Sequence, residues 1–156
     1  MRQRLARIAC VTAALALIVV ALAAQHQNPR FGKWKLKSDA PAPASNVMTY
    51  EPAGDRGMKI TIDAVNREGV KSQWYYTTMF DGKDEPVTGN SASDSAAVRI
   101  ITDRINEIVY KKGGKVTQVL TNVLSSDHNT IGIIYMREDA EGRTTGVTFA
   151  TYERQP

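Results

Sequence analysis

The chain carries only two histidines, His26 and His128. His128 directly follows Ser126 and Asp127, so a hydroxyl, a carboxylate and an imidazole stand side by side. Nucleophilic catalysis by Ser, His and Asp needs those groups to converge from separate, preorganised elements. Three neighbours in one short polar stretch do not meet that need, and Ser125 to Asn129 reads as a turn. Asp81, Asp84 and Glu85 form the next cluster. They lack the ligand spacing of a helix–loop–helix calcium site and its bidentate glutamate, so they read as solvated turn residues. A zinc or haem centre would need partners for His128, and no His or Cys set supplies them. There is no G-x-S-x-G elbow and no phosphate-binding glycine loop. The carboxylates all sit near turns, and nothing selects a pair for glycoside chemistry. The expectation is a protein that is not an enzyme, with no metal site and no cofactor.

The aromatic residues are the remaining feature with functional potential. Trp34, Tyr50, Trp74 and Tyr75, together with Tyr76, Phe80, Phe149 and Tyr152, could line a cavity. They could equally fill the interior of a small barrel, which at eight strands has room for side chains or one small ligand.

The elements that must position them are short alternating runs bounded by turn residues. Phe31 to Leu36 alternates apolar and basic positions, as a half-buried strand does. Pro41 and Pro43 make the stretch from Ser38 to Ser45 a loop. Val47 to Glu51 is a strand, ended by the turn Pro52-Ala53-Gly54-Asp55. Met58 to Ala64 places Ile60 and Ile62 on one face, with Lys59, Thr61 and Asp63 on the other. Val70 to Phe80 places Trp74, Tyr76, Thr78 and Phe80 on one face and Tyr75, Thr77 and Met79 on the other. Asp81 to Asp84 reads as a turn and Pro86 to Asp94 as irregular. Lys111 to Lys115, with two central glycines, is a hairpin signal. Val116 to Leu124, Ile131 to Met136 and Thr144 to Tyr152 complete the strands. Asp94 to Tyr110 fits two readings. Val98, Ile101, Ile105 and Ile108 share a helical face, but the β-branched content and a turn at Asp103-Arg104 favour a hairpin. Strands about ten residues apart, with turns between, give an all-β sandwich or barrel.

The N-terminus sets the compartment. Arg2, Arg4 and Arg7 precede an apolar run from Ile8 to Leu22, and Ala21-Leu22-Ala23 offers a small-residue cleavage site. This is the layout of a secretory signal peptide over residues 1–23. The run is short of the roughly 20 residues a spanning helix needs, so no membrane span is expected in the mature chain. Residues 24–30 read as a polar leader and 31–156 as one domain. The sole cysteine, Cys10, lies within the signal, leaving a mature chain without disulfide, thiolate metal site or cysteine nucleophile. The whole chain has a net charge of +4. Losing Arg2, Arg4 and Arg7 takes its 20 basic residues to 17 against 16 acidic ones, a net of +1. A domain so near neutrality has no broad field to gather nucleic acid. The expected location is the periplasm or the extracellular space.

Several stretches together resemble a family of secreted bacterial proteins of unknown function, described as lipocalin-like. They are Gly32-Lys33-Trp34-Lys35-Leu36, Met48-Thr49-Tyr50-Glu51-Pro52-Ala53-Gly54, and Tyr76-Thr77 through Asp81-Gly82-Lys83-Asp84-Glu85-Pro86-Val87-Thr88-Gly89-Asn90. The Lys112 to Lys115 hairpin and the closing Tyr152-Glu153-Arg154-Gln155 add to the likeness, which spans nearly the whole mature chain. Relatives often carry an aromatic where this chain has Glu85. The resemblance implies a small antiparallel β-barrel, lipocalin-like, of about eight to ten strands. It further implies that Trp34 closes one barrel end as a plug, with Arg154 against it. A barrel of this kind can hold a small apolar molecule, and the residues that would line its site are Ile60, Ile62, Trp74, Tyr76 and Phe80. The alternative is a structural or protein-interaction module of the cell envelope with a filled barrel.

Overall fold

The computed structural model describes residues 28–41 and 44–156. The signal peptide expected at 1–23, and most of the leader that follows, lie outside the described residues. Ten strands make up the architecture: β1 (Gly32–Leu36), β2 (Ser45–Ala53), β3 (Gly57–Val65), β4 (Lys71–Thr78), β5 (Asp81–Pro86), β6 (Ser95–Thr102), β7 (Ile105–Lys112), β8 (Lys115–Leu124), β9 (Thr130–Glu138) and β10 (Thr144–Arg154). They form one antiparallel sheet in the order β4-β3-β2-β1-β10-β9-β8-β7-β6-β5. Chain neighbours pair throughout, except at two places. β1 joins β10 across the termini, with Trp34 opposite Arg154 and Leu36 opposite Tyr152. β4 and β5 stand at the two ends of the order and meet only through a bridge between Tyr75 and Thr88, just beyond β5. The sheet is thus an all-β, nearly closed barrel without helices among the described residues. Wrapping the sheet around itself shields nearly all of its hydrogen-bonding edges.

Alternation explains which residues face inward. In β3 the burial pattern alternates strictly at Met58, Ile60 and Ile62, and in β7 at Asn106, Ile108 and Tyr110. Each inward residue is flanked by residues pointing to the outer face, as a pleated strand requires. The segment Asp94–Tyr110 is a hairpin: β6 and β7 pair from Ser95–Lys111 to Thr102–Ile105, and Asp103-Arg104 is the turn. A helix there would have put Ile101 and Ile105 on one apolar face; instead Ile101 is half exposed, at 50%.

Two turns fall elsewhere than the sequence suggests. The run Asp81–Asp84 is not a turn but the start of β5, with Asp81 opposite Arg99 and Asp84 opposite Ala97. The reversal comes earlier, at Met79-Phe80, where Phe80 takes a φ of 61°. The Phe80 amide donates to the Thr78 hydroxyl at 2.9 Å, which stabilises the tight bend. Packing of the Phe80 ring against the core offsets the cost of a left-handed aromatic. At the β2–β3 hairpin, β2 runs on through Pro52 and Ala53, paired with Met58 and Gly57, so the turn is confined to residues 54–56.

One end of the barrel is packed shut. Trp34, Leu124 and Ile131 are the largest fully buried apolar side chains, and they lie there together with Arg30. The Arg30 guanidinium donates to the carbonyls of Asp103 and Arg104 at the β6–β7 turn, at 3.4 and 2.7 Å. Arg30 closes the leader in sequence but belongs to this core, being only 3% exposed.

Candidate functional site: an aromatic-walled barrel cavity

Above the packed end the barrel is hollow. The cavity has a volume of about 310 Å³, at the small end of the range seen for ligand sites. Its wall is built by register. Ile60 pairs with Tyr76 and Ile62 with Trp74, so the inward faces of β3 and β4 make one continuous apolar surface. All four line the cavity, and Ile108, Leu120 and Ile133 extend the wall on β7, β8 and β9. Trp74, Tyr76 and Tyr110 form an aromatic cluster: Trp74 stacks on Tyr76 with centroids 6.2 Å apart, and Tyr110 meets both edge-on at 5.7 and 5.9 Å. Such geometry suits the ring quadrupoles and fixes the wall without filling the lumen.

Of the residues the sequence singles out, Ile60, Ile62, Trp74 and Tyr76 come together at the cavity. Phe80 does not line it; past the end of β4, its ring packs on the core instead. Trp34 and Arg154 meet at the packed end. The Arg154 guanidinium carbon is 4.2 Å from the centroid of the Trp34 ring. The Trp34 indole N–H donates to the Arg30 carbonyl at 2.8 Å. Tyr75 and Phe149 leave the aromatic set, since they point outward and are 40% and 76% exposed.

The cavity also holds polar groups, of which the sequence reading named Tyr50, Tyr76 and Tyr152 and missed Tyr110, Tyr135 and Asn122. Tyr50, Tyr76, Tyr110, Tyr135 and Tyr152 all turn their hydroxyls inward. Tyr110 donates to the Tyr76 hydroxyl at 3.4 Å, and the Tyr135 and Tyr152 hydroxyls are 3.3 Å apart. Burial pushes the Tyr76 phenol up to about 12 and drives Tyr50, Tyr110, Tyr135 and Tyr152 up as well. These phenols are therefore neutral at physiological pH and serve as hydrogen-bonding groups, not as bases. At the floor, Asn122 donates through Nδ2 to the Tyr50 hydroxyl at 3.1 Å. Its Oδ1 is buried and has no hydrogen-bond partner. Nearer the mouth, Gln118 sits opposite Arg137 on β8 and β9. The signal for Asn122 was present: Leu120, Asn122 and Leu124 alternate along one strand face, and an amide amid apolar residues marks a special position.

The loop 87–94 covers part of the opening through Asn90, Ala92 and Ser93. It is held to β4 by the paired backbone bonds of Tyr75 and Thr88, at 3.0 and 2.9 Å. Gly89 makes this approach possible, since its φ is 85° and a Cβ there would stand 2.5 Å from the Gln73 carbonyl oxygen.

The polar clusters weighed first contribute no chemistry at the cavity. Asp127 accepts from the Ser125 hydroxyl at 2.6 Å and the Asn129 amide at 3.1 Å, a self-contained turn. His128 gives its carbonyl to Arg154 Nε at 2.8 Å. Asp81 pairs with Lys83 and Asp84 with Lys111, at 2.7 and 2.8 Å. Among the described residues, no three His, Cys, Asp or Glu side chains converge on a point that could hold a metal ion.

This barrel is similar in fold to the crystal structure of the wild-type fluorescent protein UnaG. The two are 13% identical, with a TM-score of 0.54 over 81% of this chain and 97% of that one. An asparagine-to-alanine mutant of the same protein is similar to the same degree, at 13% identity and a TM-score of 0.55, over 82% of this chain and 97% of that one. No family model matches the chain, and no curated protein matches it. At this identity the likeness is one of fold alone: an antiparallel barrel of the lipocalin-like class.

Proposed function

We propose that this protein is exported, to the periplasm or the extracellular space, as a member of a secreted lipocalin-like family, and that its barrel binds a small hydrophobic molecule without catalysis. One observation carries the reading: the lumen between Trp74, Tyr76, Ile60 and Ile62 on one side and Leu120 and Ile133 on the other is open, at about 310 Å³. A barrel serving only as a structural module would fill that space, because an empty apolar void forfeits contacts. Filling it with an apolar ligand gains about 25 cal/mol for each Å² removed from water. The fold shared with UnaG is consistent with the reading. Native mass spectrometry of protein purified from its own host tests it directly. A co-purifying small molecule, released on denaturation, is the expected result. An empty barrel, with Trp74 fluorescence unchanged by a panel of apolar ligands, would refute it.

A protein partner on the outer face is the second reading. It rests on Val147 and Phe149 of β10, which are 50% and 76% exposed and stand opposite Met136 and Ile134 of β9. Exposed apolar groups in adjacent rows mark contact surfaces more often than isolated ones do.

A further inference from the structure

The floor of the cavity is not apolar. Asn122 is 4% exposed, lines the cavity, and leaves Oδ1 without a donor. Beside it, the Tyr50 hydroxyl accepts from Asn122 Nδ2 and directs its own proton only at the Met48 sulfur, 3.5 Å away. A thioether is a weak acceptor, so that proton is easily redirected. The floor therefore presents one unsatisfied acceptor and one loosely held donor, next to each other, at the end of an aromatic slot.

Building on the ligand-binding reading above, we infer that the cavity is specific for an aromatic or alicyclic molecule that enters with a neutral hydroxyl leading, the hydroxyl donating to Asn122 Oδ1 and accepting from the Tyr50 O–H. An alcohol or phenol does both through a single oxygen. Other leading groups fit worse. A plain hydrocarbon end would displace any water at the floor without replacing its hydrogen bonds, leaving Oδ1 buried and unpaired. A carboxylate would bring its charge against an acceptor oxygen; the buried cation behind the floor, Arg30, is outside the cavity lining, and its guanidinium already donates to the carbonyls of Asp103 and Arg104. The cationic side chain of the lining, Arg137, is on β9 four residues beyond Ile133, which pairs with Asn122. At about 3.3 Å per residue that puts it roughly 13 Å towards the mouth. The rings Trp74, Tyr76 and Tyr110 flank the slot between and favour a flat body over a flexible chain.

Three probes of one ring size separate these cases in calorimetric titration: 2-naphthol, 2-methylnaphthalene of nearly the same shape, and 2-naphthoate. The wild-type protein is expected to bind 2-naphthol about tenfold or more tightly than 2-methylnaphthalene, the worth of one good hydrogen bond. The order should reverse in Asn122→Leu, and Tyr50→Phe should narrow the gap. If Asn122→Leu does not fold, the wild-type comparison decides alone. Equal or weaker binding of 2-naphthol, with 2-methylnaphthalene still bound, overturns the inference and leaves a hydrophobic site standing. Preference for 2-naphthoate overturns it in favour of a charged headgroup. Failure of all three probes overturns the inference, while the ligand-binding reading is decided separately by native mass spectrometry of the protein from its own host.

Discussion

Arg154 lies over the indole of Trp34, with its guanidinium carbon 4.2 Å from the ring centroid, although the two residues enter the barrel from opposite ends of the sequence. They are directly paired in the β1–β10 ladder. The same guanidinium donates to the carbonyls of Phe31 at 2.9 Å and His128 at 2.8 Å, and to that of Pro29. One side chain thus joins the first strand, the last strand and the β8–β9 turn over a fully buried ring.

Trp34→Ala should therefore open the packed end. Removing a buried indole costs about 3–5 kcal/mol, with the higher figures where the site cannot collapse. Arg154→Met keeps the aliphatic reach but loses the cation–π contact and leaves several carbonyls without a donor; a loss of about 1–3 kcal/mol is expected. Urea unfolding followed by circular dichroism measures both. Wild-type stability in Trp34→Ala would refute the plug role.

Alkaline pH should unfold the barrel through its buried tyrosines. In the unfolded chain a tyrosine loses its proton near pH 10. In the native barrel burial raises Tyr76 to about 12, and four further tyrosines shift in the same direction. A raised folded value gives stability that is complete below about pH 10 and declines as pH climbs towards the native values, because the unfolded state then binds fewer protons. Absorbance of phenolate at alkaline pH should rise together with loss of β structure. Free titration of these five tyrosines in the intact fold would contradict the cavity geometry.

Gly89→Ala should loosen the loop over the cavity. The added Cβ would stand 2.5 Å from the Gln73 carbonyl oxygen, at a φ of 85° that alanine rarely adopts. A loss of roughly 1–3 kcal/mol is expected from strain of this kind. Faster hydrogen exchange at the Tyr75 and Thr88 amides, with the β8–β9 strands unchanged, is the local signature. Unaltered exchange there would show that the loop is not held by this contact.

Ile62→Phe should fill the lumen. Ile62 is 6% exposed and lines the cavity, so the larger ring has open space to enter. Ligand binding should fall by at least about tenfold while stability stays within about 1.5 kcal/mol of wild type, as for other core swaps that find room. Undiminished binding in a folded variant would place the ligand elsewhere.

Sequence alone determined the strands other than β5, and one wall of the cavity. Alternation is local: Ile60 and Ile62, or Trp74 and Tyr76, differ by two residues, so each pair must share a face whatever the rest of the chain does. The same parity separates Phe149 from Tyr152, three residues apart on one strand, and only one of them can face the lumen. Which one does is a tertiary matter, decided by the pairing of Leu36 with Tyr152 across the chain ends. The reversal at Phe80 was also hidden, because glycine at position 82 is the stronger local turn signal, and only packing of the Phe80 ring moves the bend. The open lumen depends on how ten strands close around it, a sum over register and side-chain volume that no single segment contains. Asn122 needed both levels. Its place on an apolar face is written in the sequence, while the missing partner of its Oδ1 exists only once Tyr50 arrives from the opposite side of the barrel.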